Sequence, residues 1–161
     1  MGKEIERRFL VDKAWRKMIT LPLVSIETIK QAYICADNGV TTRVRIYQDQ
    51  HAELTIKGKT IGISKPEFNI PIALNDAKEM MKLSWRNVIK KKRYTYNDGD
   101  YSWEIDVFSG INKGLIIAEV ELLSPKQKIN ISYPWLLNEI TNNKRFSNFN
   151  LTMNPYRGNH D

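Results

Sequence analysis

The chain alternates. In EIERRFL (residues 4–10), Glu4, Glu6 and Arg8 fall on one side of an extended backbone and Ile5 and Phe9 on the other, as in a strand with one apolar face. The pattern returns in TTRVRIY (41–47), where Arg43 and Arg45 oppose Val44 and Ile46, and in AELTIKG (52–58), where Glu53, Thr55 and Lys57 oppose Leu54 and Ile56. In KPEFNIPI (65–72), Lys65, Glu67 and Asn69 oppose Phe68 and Ile70. Glu104 and Asp106 oppose Trp103, Ile105 and Val107 in SWEIDVF (102–108), and Glu119 and Glu121 oppose Val120 and Leu122 in AEVELL (118–123). KQAYI (30–34) places Gln31 with Tyr33. IKKKRYTY (89–96) places Lys91 with Arg93 but sets Lys90 and Lys92 on the opposite face.

Helices interrupt the strands. Asp12 is placed to cap KAWRKMIT, and NDAKEMMKLSW (75–85) opens with Asp76 and carries Glu79 three residues on, in the manner of a capping box. SPKQKI (124–129) and YPWLLNEIT (133–141) each hold proline near a helix start. NDGD (97–100) predicts the turn of a hairpin between its flanking strands. The expectation is a mostly antiparallel β protein with helices on its apolar faces.

Composition narrows the chemistry. At 161 residues one domain is expected, and 42% hydrophobic residues suffice for a core. No apolar run has the length of a membrane span, and the charged start does not read as a signal peptide. The single cysteine, Cys35, forms no internal disulfide, which makes a reducing cytoplasm the expected compartment. One cysteine and two scattered histidines argue against structural zinc and against a Cys/His nucleophile. The net charge of +7 favours anionic partners. Neither GxGxxG nor GxxxxGK[ST] occurs, so any phosphate is held by side chains and not by a glycine cradle. The KKKR run (90–93) lacks an aromatic stacking platform, which disfavours nucleic acid as its partner.

The polar faces are unusual for a merely solvated sheet. Their charges come as same-sign i, i+2 pairs: Glu4/Glu6, Arg43/Arg45, Lys91/Arg93, Glu104/Asp106 and Glu119/Glu121. Like charges so placed repel, which makes sense where a counter-ion is meant to sit. Apolar outside and polar inside describes a barrel with a wet lumen. Arginine and lysine match phosphate oxygens, and paired carboxylates suit Mg²⁺.

EIERRFLV (4–11) resembles the ExExK signature of the CYTH superfamily, the triphosphate tunnel metalloenzymes. The resemblance continues in order through RVR (43–45), TIKG (55–58), KRY (92–94), WEIDVFSG (103–110), AEVEL (118–122) and NKRFSN (143–148). It implies an α+β fold, an eight-stranded antiparallel β-barrel with helices packed outside, filling residues 1–161 as one domain with a tail from about residue 153. It implies hydrolysis of a triphosphate, inorganic triphosphate being favoured, with Mg²⁺ or Mn²⁺ as cofactor. Adenylate cyclase or thiamine-triphosphatase activity, or a non-catalytic polyphosphate-binding role, are the alternatives. The expected partner is a small-molecule triphosphate, without membrane attachment, in a monomer or homodimer.

By position, the resemblance gives Arg8, Arg43, Arg45, Lys57, Arg93 and Arg145 to phosphate. It gives Glu4, Glu6, Glu119, Glu121, Glu67, Glu104 and Asp106 to metal and its water network, and Lys91 with Tyr33 to the attacking water. Two positions depart from the family pattern: Arg8 stands where lysine is usual, and Asn69 where many relatives carry a second glutamate.

Overall fold

The computed structural model describes residues 5–59, 66–122, 124, 127–129 and 131–158. Nine strands form one antiparallel sheet: β1 (Ile5–Val11), β2 (Leu23–Asp37), β3 (Val40–Tyr47), β4 (His51–Lys57), β5 (Glu67–Ile72), β6 (Ile89–Asn97), β7 (Ser102–Ser109), β8 (Ile116–Leu122) and β9 (Leu136–Glu139). Their order is β5-β4-β3-β2-β6-β7-β8-β1-β9. The helices are α1 (Trp15–Met18), α2 (Leu74–Lys82) and α3 (Asn148–Met153).

Among the described residues each alternating segment of the sequence coincides with a strand, and β2, the longest, runs for 15 residues and pairs with both β3 and β6. The NDGD turn joins β6 to β7 as expected. Asn97 Oδ1 accepts from the Gly99 amide at 2.7 Å, and Gly99 takes φ +98°, a conformation glycine adopts at little cost.

The sheet curls but does not close. β5 and β9 are its two edges, and among the described residues they do not pair with each other. The antiparallel sheet with a polar interior expected from the sequence is present, and among the described residues it has nine strands and is not closed. Pro71 fits the β5 edge, where its missing N–H costs no ladder bond.

The outer face carries two apolar layers. Phe9, Trp103, Ile105, Tyr94, Tyr96 and Val120 pack with Trp15 and with Trp135. Val44, Ile46 and Ala52 pack against Ala77 of α2, with Met80 and Met81 alongside. Burying a large side chain of this kind contributes roughly 1.5–3 kcal/mol. A third cluster lies on the inner face: Ile89, Phe108 and Ile117 share parity with Lys91, Asp106 and Glu119, and pack against Ile140, Phe146 and Leu151. The segment around α3 thus plugs one end of the trough from within.

Four helix and cap expectations need correction. Residues 136–139 of YPWLLNEIT form β9, because the edge of β1 offers backbone partners that a short apolar run takes up as readily as a helical turn. Arg7 reinforces this pairing with Nε and Nη2 donated to Glu139 at 2.9 and 2.6 Å. Ser124 and residues 127–129 are not helical; Pro125 and Lys126 lie outside the described residues. In α2 the expected capping box is not made, and Glu79 pairs with Lys82 at 2.6 Å. Asp12 bonds the Ala14 amide at 2.7 Å just before α1 without being its N-cap. No described helix is long and apolar enough to cross a membrane.

Candidate active site

A cavity of about 670 Å³ opens on the inner face, lined from every strand between β1 and β8 and by Ser147, Asn148 and Phe149. Strand alternation brings the predicted groups here. Registers across β2–β5 align Tyr33, Arg43, Thr55 and Asn69 in one row. Arg8, Glu119 and Glu104 form a second row across β1, β8 and β7.

One wall is basic and short of counter-charge. Arg43 donates from Nη2 to Thr55 Oγ1 at 3.1 Å, yet its buried Nε has no partner among the described residues. Arg45 donates to Gln31 Oε1 at 3.2 Å and to the Tyr47 hydroxyl at 3.0 Å, both neutral. Burial, then the neighbouring Arg45 cation, holds Arg43 below its usual pKa. Among the described residues neither guanidinium makes a salt bridge, although Glu67 draws on Arg43 from the same wall, and two close guanidiniums so placed make an anion site in waiting. Lys57 pairs with Glu67 at 3.0 Å. Asn69 accepts from Thr55 at 2.8 Å and donates to Glu67 at 3.3 Å, so the departure from glutamate leaves a neutral link in this row.

The opposite wall is acidic and cross-linked. Arg93 contacts Glu104, and reaches Asp106 at 2.7 Å and Glu119 at 3.3 Å. Arg8 donates to Glu119 at 2.8 Å and to the Phe146 carbonyl at 3.0 Å. Arginine at position 8 thus ties the acidic wall to the segment leading into α3, with its planar fork serving two acceptors at once. Burial raises the Glu104 pKa, with Arg93 pulling against it. Glu6 and Glu121 complete this wall.

Eleven of the fifteen predicted site residues line this cavity: Glu6, Arg8, Tyr33, Arg43, Arg45, Lys57, Glu67, Arg93, Glu104, Glu119 and Glu121. Lys91 and Asp106 do not. They form a fully buried ion pair beneath it, since Lys91 faces the level where the lumen turns apolar around Phe108. Burial opposes ionisation of Asp106, but Lys91 and Arg93 hold its carboxylate far below the usual range. Lys91 lies across from Ile29, whereas Tyr33 lies two residues past Gln31, the partner of Ile89. Burial raises the Tyr33 hydroxyl pKa, with Arg43 and Arg45 pulling it down. Arg145 lies away from the cavity and donates to the carbonyl of Asn154 at 2.8 Å. Glu4 lies outside the described residues.

Ser147, Asn148 and Phe149 line the cavity without any sign in the alternation, since no period of two marks a short helix entering a lumen.

The acids fit a divalent cation in one particular way. Among the described residues no three of them stand close enough to enclose an ion. Hard, dispersed carboxylates suit a cation that keeps several waters and shares the oxygens of a phosphate ligand.

A family model described as the CYTH domain matches residues 2–143. An inorganic triphosphatase of Acetivibrio thermocellus is 37% identical over 159 residues, spanning 98% of this chain and 97% of that protein. An inorganic triphosphatase of Nitrosomonas europaea is 30% identical over 151 residues, spanning 90% and 93%. The crystal structure of an inorganic triphosphatase superposes with a TM-score of 0.72 at 26% identity, covering 98% of this chain and 99% of that one.

Proposed function

The chain belongs to the CYTH domain family, and from that premise we propose that it hydrolyses a phosphoanhydride bond of a triphosphate, with inorganic triphosphate as substrate. The observation that carries this reading is the pair Arg43 and Arg45, hydrogen-bonded to neutral side chains, sharing one cavity with the carboxylates of Glu104 and Glu119. The two relatives named inorganic triphosphatases support the same substrate.

Charge explains why a cation takes part. Among the cavity-lining residues six carboxylates stand against five cations, so the lumen does not attract a highly charged anion by net charge. It works by segregation. Arg43, Arg45 and Lys57 bind phosphate oxygens from one wall. Glu6, Glu104, Glu119 and Glu121 would hold Mg²⁺ or Mn²⁺ from the other, together with oxygens of the substrate. When bound, the cation neutralises the triphosphate and polarises the phosphorus under attack.

Arg93 lies between the walls and neutralises charge as it builds on the transferred phosphoryl group. Tyr33 contributes a neutral hydroxyl at the basic wall. Lys91 acts from below: by fixing Asp106 it fixes Arg93, so it is a positioning residue and does not touch water itself.

The test is phosphate release from inorganic triphosphate, ATP and thiamine triphosphate with Mg²⁺ or Mn²⁺, run beside an assay for cyclic AMP. Fastest release from inorganic triphosphate, stopped by EDTA, is the expected result. Formation of cyclic AMP, or binding without release, would overturn the proposal.

A further inference from the structure

Tyr33 is the only tyrosine among the described residues that line the cavity, and its strand is irregular at that point. Tyr33 lies across from Arg43 and Cys35 across from Thr42, so β2 holds one residue more than β3 between these pairs. A bulge of this kind bends a strand and re-aims the side chain beside it, and it interrupts the local pairing. On the other side, the ladder between β2 and β6 ends at Gln31 with Ile89. Tyr33 therefore stands at a slip in one ladder and past the end of the other. From what fills that gap we infer that the turn joining α2 to β6, and Ser84 within it, positions Tyr33 for the reaction. The inference rests on the triphosphatase reading, in which the Tyr33 hydroxyl takes part at the basic wall.

Ser84 Oγ donates to the Tyr33 carbonyl at 2.9 Å. The same oxygen stands 3.3 Å from the Arg86 carbonyl, but a hydroxyl has one proton and the nearer acceptor takes it. A lone pair of Ser84 Oγ accepts from the Arg86 amide at 3.3 Å, which folds residues 84–86 into a tight turn. Both ends of the turn are tied down. The Ser84 amide donates to the Met81 carbonyl at the close of α2 at 3.2 Å, and Asn87 Nδ2 donates to the Thr152 carbonyl of α3 at 2.9 Å. Ile34, next to Tyr33, packs into the apolar layer that holds Ala77 of α2. The bulge is thus gripped from outside through Ile34 and at its backbone through Ser84.

The ring of Tyr33 is backed by the same turn. Phe149 meets it edge-on at 5.2 Å, and the Arg86 guanidinium lies over Phe149 at 5.0 Å and over Trp85 at 3.9 Å. Arg86 Nε and Nη1 are buried and, among the described residues, make no hydrogen bond. Two aromatic faces hold this cation where polar partners do not. Trp85 is itself largely exposed, and its placement is accounted for by the cation that it covers. One short segment therefore fixes the backbone of Tyr33 by a hydrogen bond and supports its ring through Arg86 and Phe149.

Phosphoryl transfer depends on positioning more than on covalent chemistry by the protein. The Tyr33 hydroxyl lies at the far end of its ring, so a small turn of the peptide plane at its carbonyl displaces it from the substrate. Ser84 is a positioning residue in this sense and touches no substrate atom itself.

The experiment measures phosphate release from inorganic triphosphate by the full-length protein and by Ser84→Ala, Tyr33→Phe and the double variant, with calorimetric binding of a methylene-bridged, non-hydrolysable triphosphate. Ser84→Ala is expected to lower kcat roughly 3- to 10-fold, with KM and analogue affinity within about twofold. Because Ser84 acts through the Tyr33 hydroxyl, the same change made in Tyr33→Phe should alter kcat by less than about twofold. A wild-type kcat in Ser84→Ala overturns the inference. So does an equal loss in both backgrounds, which would make Ser84 a residue of the fold alone, and so does a loss confined to KM and analogue affinity. Thermal melting identifies a Ser84→Ala protein that has lost its fold. In that event Arg86→Met, which keeps bulk beside Phe149 and removes the cation, decides through the same cycle with Tyr33→Phe. A wild-type kcat in Tyr33→Phe, or a wild-type protein that releases no phosphate, marks instead the failure of the parent reading, and the inference falls with it.

Discussion

Lys91 is buried against Asp106, and Arg93, two residues along the same strand, donates to the same carboxylate at 2.7 and 2.8 Å. Two cations with one acid beneath a polar cavity make a structural lock. Replacing Asp106 with Asn leaves Lys91, whose pKa burial already lowers, without the carboxylate that favours its charged form. We expect Asp106→Asn to lose about 3–5 kcal/mol of stability, read by denaturant unfolding. A loss under 1 kcal/mol would show that Lys91 is not held as an ion.

The same pair sets an acid limit. Lys91 and Arg93 depress the Asp106 pKa in the folded state, whereas the unfolded carboxylate titrates near 4. The folded form then binds this proton less readily, so the stability is complete above pH ~4 and drains as the pH falls below it. Unfolding midpoints in urea are expected to hold level between pH 7 and 5 and to drop below 4. The drop should be shallower in Asp106→Asn.

Arg43 offers a direct reading of the anion site. Its Nε has no protein partner among the described residues, so truncation removes contacts to ligand more than contacts to protein. Losing one or two charge-assisted hydrogen bonds weakens triphosphate binding roughly 10- to 100-fold, measured as KM or as affinity for the bridged analogue. Melting temperature should stay level or rise, since Arg43 and Arg45 repel.

A Glu119 variant tests the proposed cation site apart from the phosphate site. Its carboxylate is shared by Arg8 and Arg93. Glu119→Gln keeps the shape and loses the charge. The Mg²⁺ or Mn²⁺ concentration for half-maximal rate is expected to rise about tenfold or more, as for loss of one ligand or its support. A metal titration identical to wild type would remove Glu119 from the cation site.

Arg145 is expected to behave as a brace. It donates to the carbonyls of Asn154 and Pro155 just past α3. Arg145→Ala should lower stability by about 1 kcal/mol while KM for triphosphate stays put. A large rise in KM would return it to the phosphate site.

Most of the sheet was legible because one face is apolar and the other charged, and a period of two cannot be met by a helix. The same alternation placed Arg43 with Arg45 and Glu119 with Glu121 before any pairing was known. What the sequence could not show depends on distance along the chain. Residues 136–139 became a strand only because β1 presents a free edge. Lys91 and Arg93 have the same parity, yet they differ in depth, since the lumen is plugged at the level of Phe108 and open above it. Parity assigns a face and says nothing about height along the strand.

The pairing of β1 with β8 joins residues more than a hundred positions apart, as in Arg8 with Glu119. During synthesis the first strand must therefore wait, unpartnered, until β8 has emerged from the ribosome. Glu6 and Arg8 meet the acids of β8 only then, so the acidic wall is among the last parts of the cavity to assemble and the β1 edge stays open until it does.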